Sequence, residues 1–239
     1  MLAVQNITRT FNDGKAGFRN VTFSIEEGEV IGILGTSGCG KSTLLRVLSG
    51  LDKEYEGQFS FSKRTVGMMF QEPRLMPWLT VHENICFGVQ KGQKKELAEE
   101  LLKLVGLEEF ADHHPKDLSG GMAQRTAIAR SLITEPDVLL LDEPFSALDA
   151  FTKMQLQDLL LSIWQNRKTT TILVTHDIDE ALYLANRIFI LRGQPGELYA
   201  EIKIDQAKPR SRGDVALAEK KAEILTLLDL NHNSKEVKL

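Results

Sequence analysis

In this chain of 239 residues, the stretch VIGILGTSGCGKSTLLRVLSG, residues 30–50, decides the fold. Its first six residues form an unbroken apolar run, which predicts a short strand buried on both faces. Glycines follow, and KSTLLRVL then resumes with helical spacing and stops at Gly50. Residues 35–42 fit G-x-x-x-x-G-K-[ST]. Glycines let successive backbone N–H groups turn inward into a concave nest, and the next helix points its positive end at the same spot. Such a nest seats phosphate. Lys41 reaches the β- and γ-phosphates, and Ser42 offers an oxygen to Mg2+. Gly35, Thr36, Ser37, Gly38, Cys39 and Gly40 make the loop, and Lys41, Ser42 and Thr43 open the helix. The alternative is a chance glycine turn. A random match arises in about 1% of chains of ordinary composition, and the strand before and helix after are what phosphate binding requires. Cys39 reads as a small loop residue, not a reactive thiol.

Outward from this junction, LAVQNITRT (residues 2–10) alternates apolar and polar residues until Ile7 falls out of step, and it predicts an edge strand. GFRNVTFSIEEGE (17–29) predicts a second strand, and GQFSFSKRTVGMMFQ (57–71) further strands. VHENICFGVQ (81–90) and KKELAEELLKLVGL (94–107) have helical spacing. LSGGMAQRTAIARSLIT (118–134) predicts a helix with a serine cap. DVLLLDEP (137–144), TTTILVTH (169–176) and RIFILRG (187–193) predict buried strands, separated by the helices MQLQDLLLSIWQNR (154–167) and DIDEALYLA (177–185). From Lys203 the chain is polar, with one late helix, VALAEKKAEILTLLDL (215–230). Buried strands alternating with helices predict an α/β fold whose parallel sheet is covered on both faces. The helix-only stretch at about 73–134 interrupts the alternation and predicts an inserted helical subdomain. The expected division is a domain over residues 1–202 carrying that insert, then a short helical tail over 203–239.

Chemistry gathers at the strand ends. Asp142 ends a buried strand, where ligand sites collect in parallel sheets, and its carboxylate suits a Mg2+ shell shared with Ser42. Glu143, the next residue, points elsewhere and suits a water poised for in-line attack. Alone, this is an ordinary strand-end acidic pair; beside a phosphate loop it predicts hydrolysis. His176 follows the same kind of strand and is expected on the same rim, within reach of a γ-phosphate, although a lone histidine is usually structural or solvated. In LSGGMAQR, Ser119 caps a helix whose first N–H groups are bared by Gly120 and Gly121, a second anion seat. It is either a plain capped helix or a loop that serves another molecule's nucleotide, as in a symmetric dimer.

Composition narrows the class. The chain is 42% hydrophobic and 26% charged, within the globular range. A net charge of −4 gives no overall basic field, so no nucleic-acid partner is expected. Two cysteines without CxxC spacing, Cys39 and Cys86, predict a reducing compartment. The first residues lack the basic-then-apolar signature of a secretory signal. No apolar run approaches the ~18 residues needed to cross a bilayer, so any membrane work is expected from outside the lipid. His113 and His114 have no partners at metal-ligand spacing and read as solvated or capping residues.

Taken together, GTSGCGKST, Gln71 in FQEPRLMPWLTVHENI, LSGGM, VLLLDEP, SALD and His176 resemble the ATP-binding subunit of ABC transporters over roughly residues 2–193, in the family's order and spacing. The variants MPWLTV and LSGGMxQR resemble the importer branch for nitrate, taurine and aliphatic sulfonates. The resemblance implies a P-loop NTPase (RecA-like) core with an N-terminal antiparallel β-subdomain, a homodimer that hydrolyses ATP with Mg2+, and a place on the inner face of the cell membrane. It implies a separate permease and, through it, an extracytoplasmic solute-binding protein. Position by position, it implies that Phe11 stacks on adenine, where the family more often has Tyr or Trp. Gln71 ligates Mg2+ or the attacking water, and Glu143 is the general base. His176 senses the γ-phosphate. Ser119, Gly120, Gly121 and Met122 contact the nucleotide of the opposite subunit, and Asp149 ties the two active sites. Met122 replaces the commoner Gln, Ala123 stands where the branch often has a basic residue, and Thr36 stands where Pro is frequent. Leu75, Met76, Trp78 and Leu79 are either core of the insert or an apolar groove for a permease helix. No regulatory C-terminal domain is expected. A single acidic cassette disfavours a DNA- or ribosome-directed ATPase, and Glu143, Gln71 and His176 disfavour a switch without hydrolysis. An importer for another small molecule, or an exporter motor, would share the same chemistry.

Overall fold

The structure is a computed structural model and describes residues 2–60, 65–89 and 94–229. The chain begins with β1 (Leu2–Thr10), β2 (Ala16–Ile25), β3 (Val30–Gly35), α1 (Lys41–Leu48) and β4 (Glu56–Ser60). It continues with β5 (Val66–Met69), α2 (Val81–Ile85), α3 (Lys95–Val105), α4 (Gly120–Leu132), β6 (Val138–Asp142) and α5 (Ala150–Arg167). It closes with β7 (Thr170–Thr175), α6 (Ile178–Leu184), β8 (Arg187–Arg192), β9 (Glu197–Lys203) and α7 (Val215–Asp229). Two compact units result, Met1–Ser60 with Leu173–Leu239, and Phe61–Ile172. The expected strand residues 61–64, helix residue Gln90 and tail residues 230–239 lie outside the described residues.

In the first unit, β2, β1 and β4 form an antiparallel sheet in that order. The expectation of an edge strand for residues 2–10 is therefore wrong. β1 is the middle strand, with Val4 opposite Phe23 on one side and Phe59 on the other. Its slip out of alternation at Ile7 reflects register shifts along both pairings, not an exposed edge. β3, buried at every residue, pairs in parallel with β8. β8 pairs antiparallel with β9, whose alternation of Leu198, Ala200 and Ile202 with exposed residues is weak because only Ile202 is fully buried. Leu34, Ile188, Ile190 and Ile202 share a core with Leu182 of α6 and with Leu217 and Ile224 of α7. Full burial of a side chain the size of Ile224 contributes about 1.5–3 kcal/mol.

Arg210 fastens the segment that leads to α7. It is 5% exposed, and its Nε donates to Gln206 O at 2.9 Å. One terminal nitrogen donates to Leu182 O at 2.7 Å and Ala185 O at 2.6 Å. These are carbonyls at the C-terminal end of α6, where the helix leaves acceptors unfilled and its dipole favours a cation. Burial pushes the guanidinium pKa down to about 10.

In the second unit β5 and β6 pair in parallel. Helix α2 has a complete capping box: Thr80 Oγ1 accepts from Glu83 N–H, and Glu83 accepts from Thr80 N–H. It is shorter than the helical spacing over 81–90 predicted. Phe87 and Val89 N–H groups bond carbonyls only three residues back, and these tight turns end the helix. Ser119 caps α4 by accepting from Met122 N–H. Helix α5 starts four residues before the predicted Met154, because Asp149 Oδ1 accepts from the N–H groups of Phe151 and Thr152, each at 3.1 Å.

Candidate functional site

In the first unit, the phosphate loop joins β3 to α1. Gly38 and Gly40 have φ of 82° and 92°, left-handed conformations that favour glycine. A Cβ on Gly40 would lie 2.1 Å from Gly17 O, so the loop is also packed too closely for a side chain there. Thr36, Ser37 and Gly38 are exposed, and Cys39 is buried. Burial pushes the Cys39 thiol pKa up, which makes it inert. Lys41 Nζ donates to Gly35 O at 2.8 Å and Thr36 O at 3.1 Å, so the ammonium is held across the loop it opens. Ser42 and Thr43 sit in the first turn of α1, which has no acidic residue to repel an anion.

The turn between β8 and β9 backs this loop. Gln194 Nε2 donates to Ser37 O at 3.2 Å. Gly196 O accepts from Arg19 N–H at 2.9 Å, and a Cβ on Gly196 would fall 2.0 Å from Cys39 O. Phe11 lies beside the same helix start. A Cβ on Gly17 would be 3.1 Å from Phe11 Cε2 and 3.3 Å from Thr43 Cγ2. The ring is 38% exposed and carries the Arg9 guanidinium 4.8 Å from its centroid. His176 is exposed directly after β7. Its neighbours are fixed: Asp177 caps α6 through Asp179 and Glu180 N–H, and Thr175 donates to the Glu180 carboxylate.

In the second unit, β6 is buried throughout and ends at Asp142, 5% exposed. Glu143 turns away at φ 44°, a left-handed conformation that a residue with a Cβ adopts at a cost of about 1–2 kcal/mol. That turn aims its carboxylate at Gln71, whose Nε2 lies 3.4 Å from Glu143 Oε2 and 3.3 Å from Ser146 Oγ. Gln124 Nε2 donates to Gln71 O at 3.2 Å and steadies it. At the start of α4, Ser119 and Gly120 are exposed, while Gly121 is buried and Met122 half-buried. Asp149 is exposed. The Thr152 hydroxyl, donating at 2.6 Å, and the Thr152 and Phe151 N–H groups hold its carboxyl below the usual range.

The segment after Gln71 is pinned from beneath. Buried Asn84 accepts from Met76 N–H at 2.7 Å and donates to the carbonyls of Met76, Leu79 and Thr80. Arg130 donates to Arg74 O at 2.8 Å and to Pro73 O. Trp78 is thereby left 70% exposed, so it is not a core residue, and Leu75, Met76 and Leu79 are half-buried. His113 packs against Phe110, ring centroids 5.2 Å apart, and the His114 N–H bonds the Asp117 carboxylate. Sequence spacing carries no sign of Arg9, Gln194, Gln124, Asn84 or Arg130, because each acts on residues distant along the chain or on backbone carbonyls.

Residues 18–146 match the family described as ABC transporter. An aliphatic sulfonates import ATP-binding protein, SsuB 1 of Pseudomonas savastanoi pv. phaseolicola, is 49% identical over 219 residues, covering 92% of each chain. An aliphatic sulfonates import ATP-binding protein, SsuB of Bacillus subtilis, is 50% identical over 202 residues, covering 81% of this chain and 79% of that one. Among solved structures, the ATP-binding cassette MJ0796, a dimer bound to ADP and Pi in a post-hydrolysis state, superposes with a TM-score of 0.76. It is 34% identical and covers 87% of this chain and all of that one. The structure of cbiO1 from Clostridium perfringens, part of the ABC transporter complex cbiONQ, gives 0.78 at 27% identity over 97% and 96% of the two chains. Among the described residues, no helix is long and apolar enough to cross a membrane.

Proposed function

The chain belongs to the ABC transporter family as an ATP-binding, ATP-hydrolysing subunit, and on that footing we propose that it drives uptake of aliphatic sulfonates or similar small anions through a separate permease. Identity near one half across 92% of both chains with a sulfonate import ATP-binding protein carries this proposal. The ATPase domain spans residues 1–202 with the helical insert at about 73–134, and 203–239 form a tail. Two copies pair, as in the dimeric cassette of known structure, and a solute-binding protein delivers cargo to the permease from the far side. The assembly sits on the inner face of the cell membrane. Exposed Trp78 and half-buried Met76 supply apolar surface for a permease helix.

ATP hydrolysis then divides among named residues. Phe11 holds the base. The N–H groups of the 35–43 loop and the Lys41 ammonium hold the β- and γ-phosphates. Ser119, Gly120, Gly121 and Met122 reach the γ-phosphate of the partner's ATP, and Asp149 links the two sites. Ser42, Asp142 and Gln71 offer hydroxyl, carboxylate and carboxamide oxygens, a hard donor set that fits Mg2+. When bound, that ion offsets charge on the β- and γ-oxygens. Glu143, held beside Gln71, accepts a proton from water as its oxygen bonds to the γ-phosphorus. The bond from that phosphorus to the bridging oxygen breaks, releasing ADP, and His176 stabilises the transferred group.

Glu143→Gln tests this. The variant is expected to bind ATP, elute as a dimer with ATP present, and turn over at least about 10²-fold more slowly. Cells carrying it lose uptake of labelled alkanesulfonate. Unimpaired turnover refutes the base assignment, and undiminished uptake refutes the import function.

A further inference from the structure

A phenylalanine that receives a nucleotide base has only its π-face to offer, so what stands behind the ring matters. Arg9 is the last residue but one of β1, and Phe11 is the first residue beyond the strand. The guanidinium carbon is 4.8 Å from the ring centroid. Unlike most arginines, this one cannot swing away. Nε meets Asp52 Oδ2 at 2.7 Å, one terminal nitrogen meets Glu54 Oε2 at 2.9 Å, and the other donates to Thr10 O. Arg9 is 8% exposed, whereas Phe11 keeps 38% of its surface exposed next to Gly17 and Thr43, where the phosphate loop runs into α1.

Aromatic faces are electron-rich and repel one another in direct stacking. A cation fixed behind a ring draws its density back and favours a second π-system in front. It also holds the ring in one orientation, so less ordering remains to be done on binding. Asp52 and Glu54 keep the cation in place.

We propose that Arg9 is a positioning residue for the nucleobase: the guanidinium, anchored by Asp52 and Glu54, polarises and orients Phe11 so that the ring stacks a purine. This rests on the assignment of Phe11 as the base platform. It predicts a selective loss, in affinity for the base and not for the phosphates.

The experiment is calorimetric titration of the full chain with ATP and, separately, with inorganic tripolyphosphate. The variants are Arg9→Met, Arg9→Lys, Phe11→Ala and the double variant. Arg9→Met is expected to weaken ATP about three- to tenfold and leave tripolyphosphate unchanged, whereas Arg9→Lys, which keeps a cation, loses less. In the Phe11→Ala background, Arg9→Met has no further effect. The proposal is overturned if Arg9→Met leaves ATP affinity intact, if tripolyphosphate weakens in parallel, or if the full loss persists without Phe11. A Phe11→Ala chain that binds ATP normally removes the platform assignment itself, and the proposal with it. Should Arg9→Met not fold, Asp52→Asn with Glu54→Gln releases the guanidinium and must reproduce the selective loss.

Discussion

Gly196 offers a direct test of the phosphate seat, because it lies outside the loop and touches it only from behind. A Cβ at this position falls 2.0 Å from Cys39 O, about 1.4 Å short of ordinary contact. The obstacle is backbone, not the end of a flexible side chain. Arg19 N–H ties Gly196 O on one side, and Gln194 ties the turn to Ser37 on the other. In Gly196→Ala the turn or the loop must therefore move by roughly that distance. A shift of about 1 Å takes an N–H···O contact beyond useful range, and each such bond to a charged acceptor is worth about 1.5–3 kcal/mol. Loss of one predicts ATP binding about ten- to a hundredfold weaker. Overpacking of this kind costs about 1–3 kcal/mol of stability, or a melting temperature lower by roughly 2–12 °C in a chain of this size. Titration calorimetry measures the first and thermal denaturation the second. Gly213→Ala is the control, since a Cβ there meets nothing within 4 Å. If Gly196→Ala binds ATP within twofold of the parent and melts at the same temperature, the turn does not buttress the loop.

Lys41→Ala is expected to weaken ATP binding at least about tenfold through loss of a charged donor; unchanged affinity in the same titration removes the phosphate assignment. Arg210→Met strips charged donors from the carbonyls of Leu182, Ala185 and Gln206, and should cost about 2–4 kcal/mol despite relieving the buried charge. A melting temperature at or above that of the parent would show that desolvation dominates. Thr152→Val removes the hydroxyl that does most to hold the Asp149 carboxyl below its unfolded value near 3.9. A depressed carboxylate pKa stabilises the fold above the unfolded value and stops doing so as pH falls through the folded one. Denaturant titrations should accordingly separate parent and variant at pH 7 and bring them together in strong acid; an equal gap at both pH values rules out the electrostatic cause.

Where local chemistry determines structure, the sequence was readable. The apolar run before the glycines, the Ser119 cap and the strand ending in Asp142 need only neighbours along the chain to be recognised. The α/β class followed from them. The misses share a different cause. β1 alternates like an edge strand, and only its pairing with β4, some fifty residues away, makes it central. β9 alternates Leu198, Ala200 and Ile202 with exposed residues, but only Ile202 is fully buried, so its apolar side is weak. Helix α5 starts ahead of its apolar spacing because the Asp149 carboxylate turns back onto the N–H groups of Phe151 and Thr152 and caps it. At the candidate site, the loop residues and Glu143 stand out as motifs. Gln194, Arg9 and Asn84 do not, since an amide or guanidinium that serves a distant backbone carbonyl or ring leaves no periodic trace.

Glu143 holds a backbone conformation that glycine would adopt without strain. Heat-based laboratory evolution of this chain would accordingly favour dropping its carboxylate, and under the general-base role proposed for Glu143 the hardiest survivors would include ones that no longer turn over ATP. A campaign for a tougher enzyme must screen for turnover at every round, because under that proposed role durability and work pull in opposite directions at codon 143.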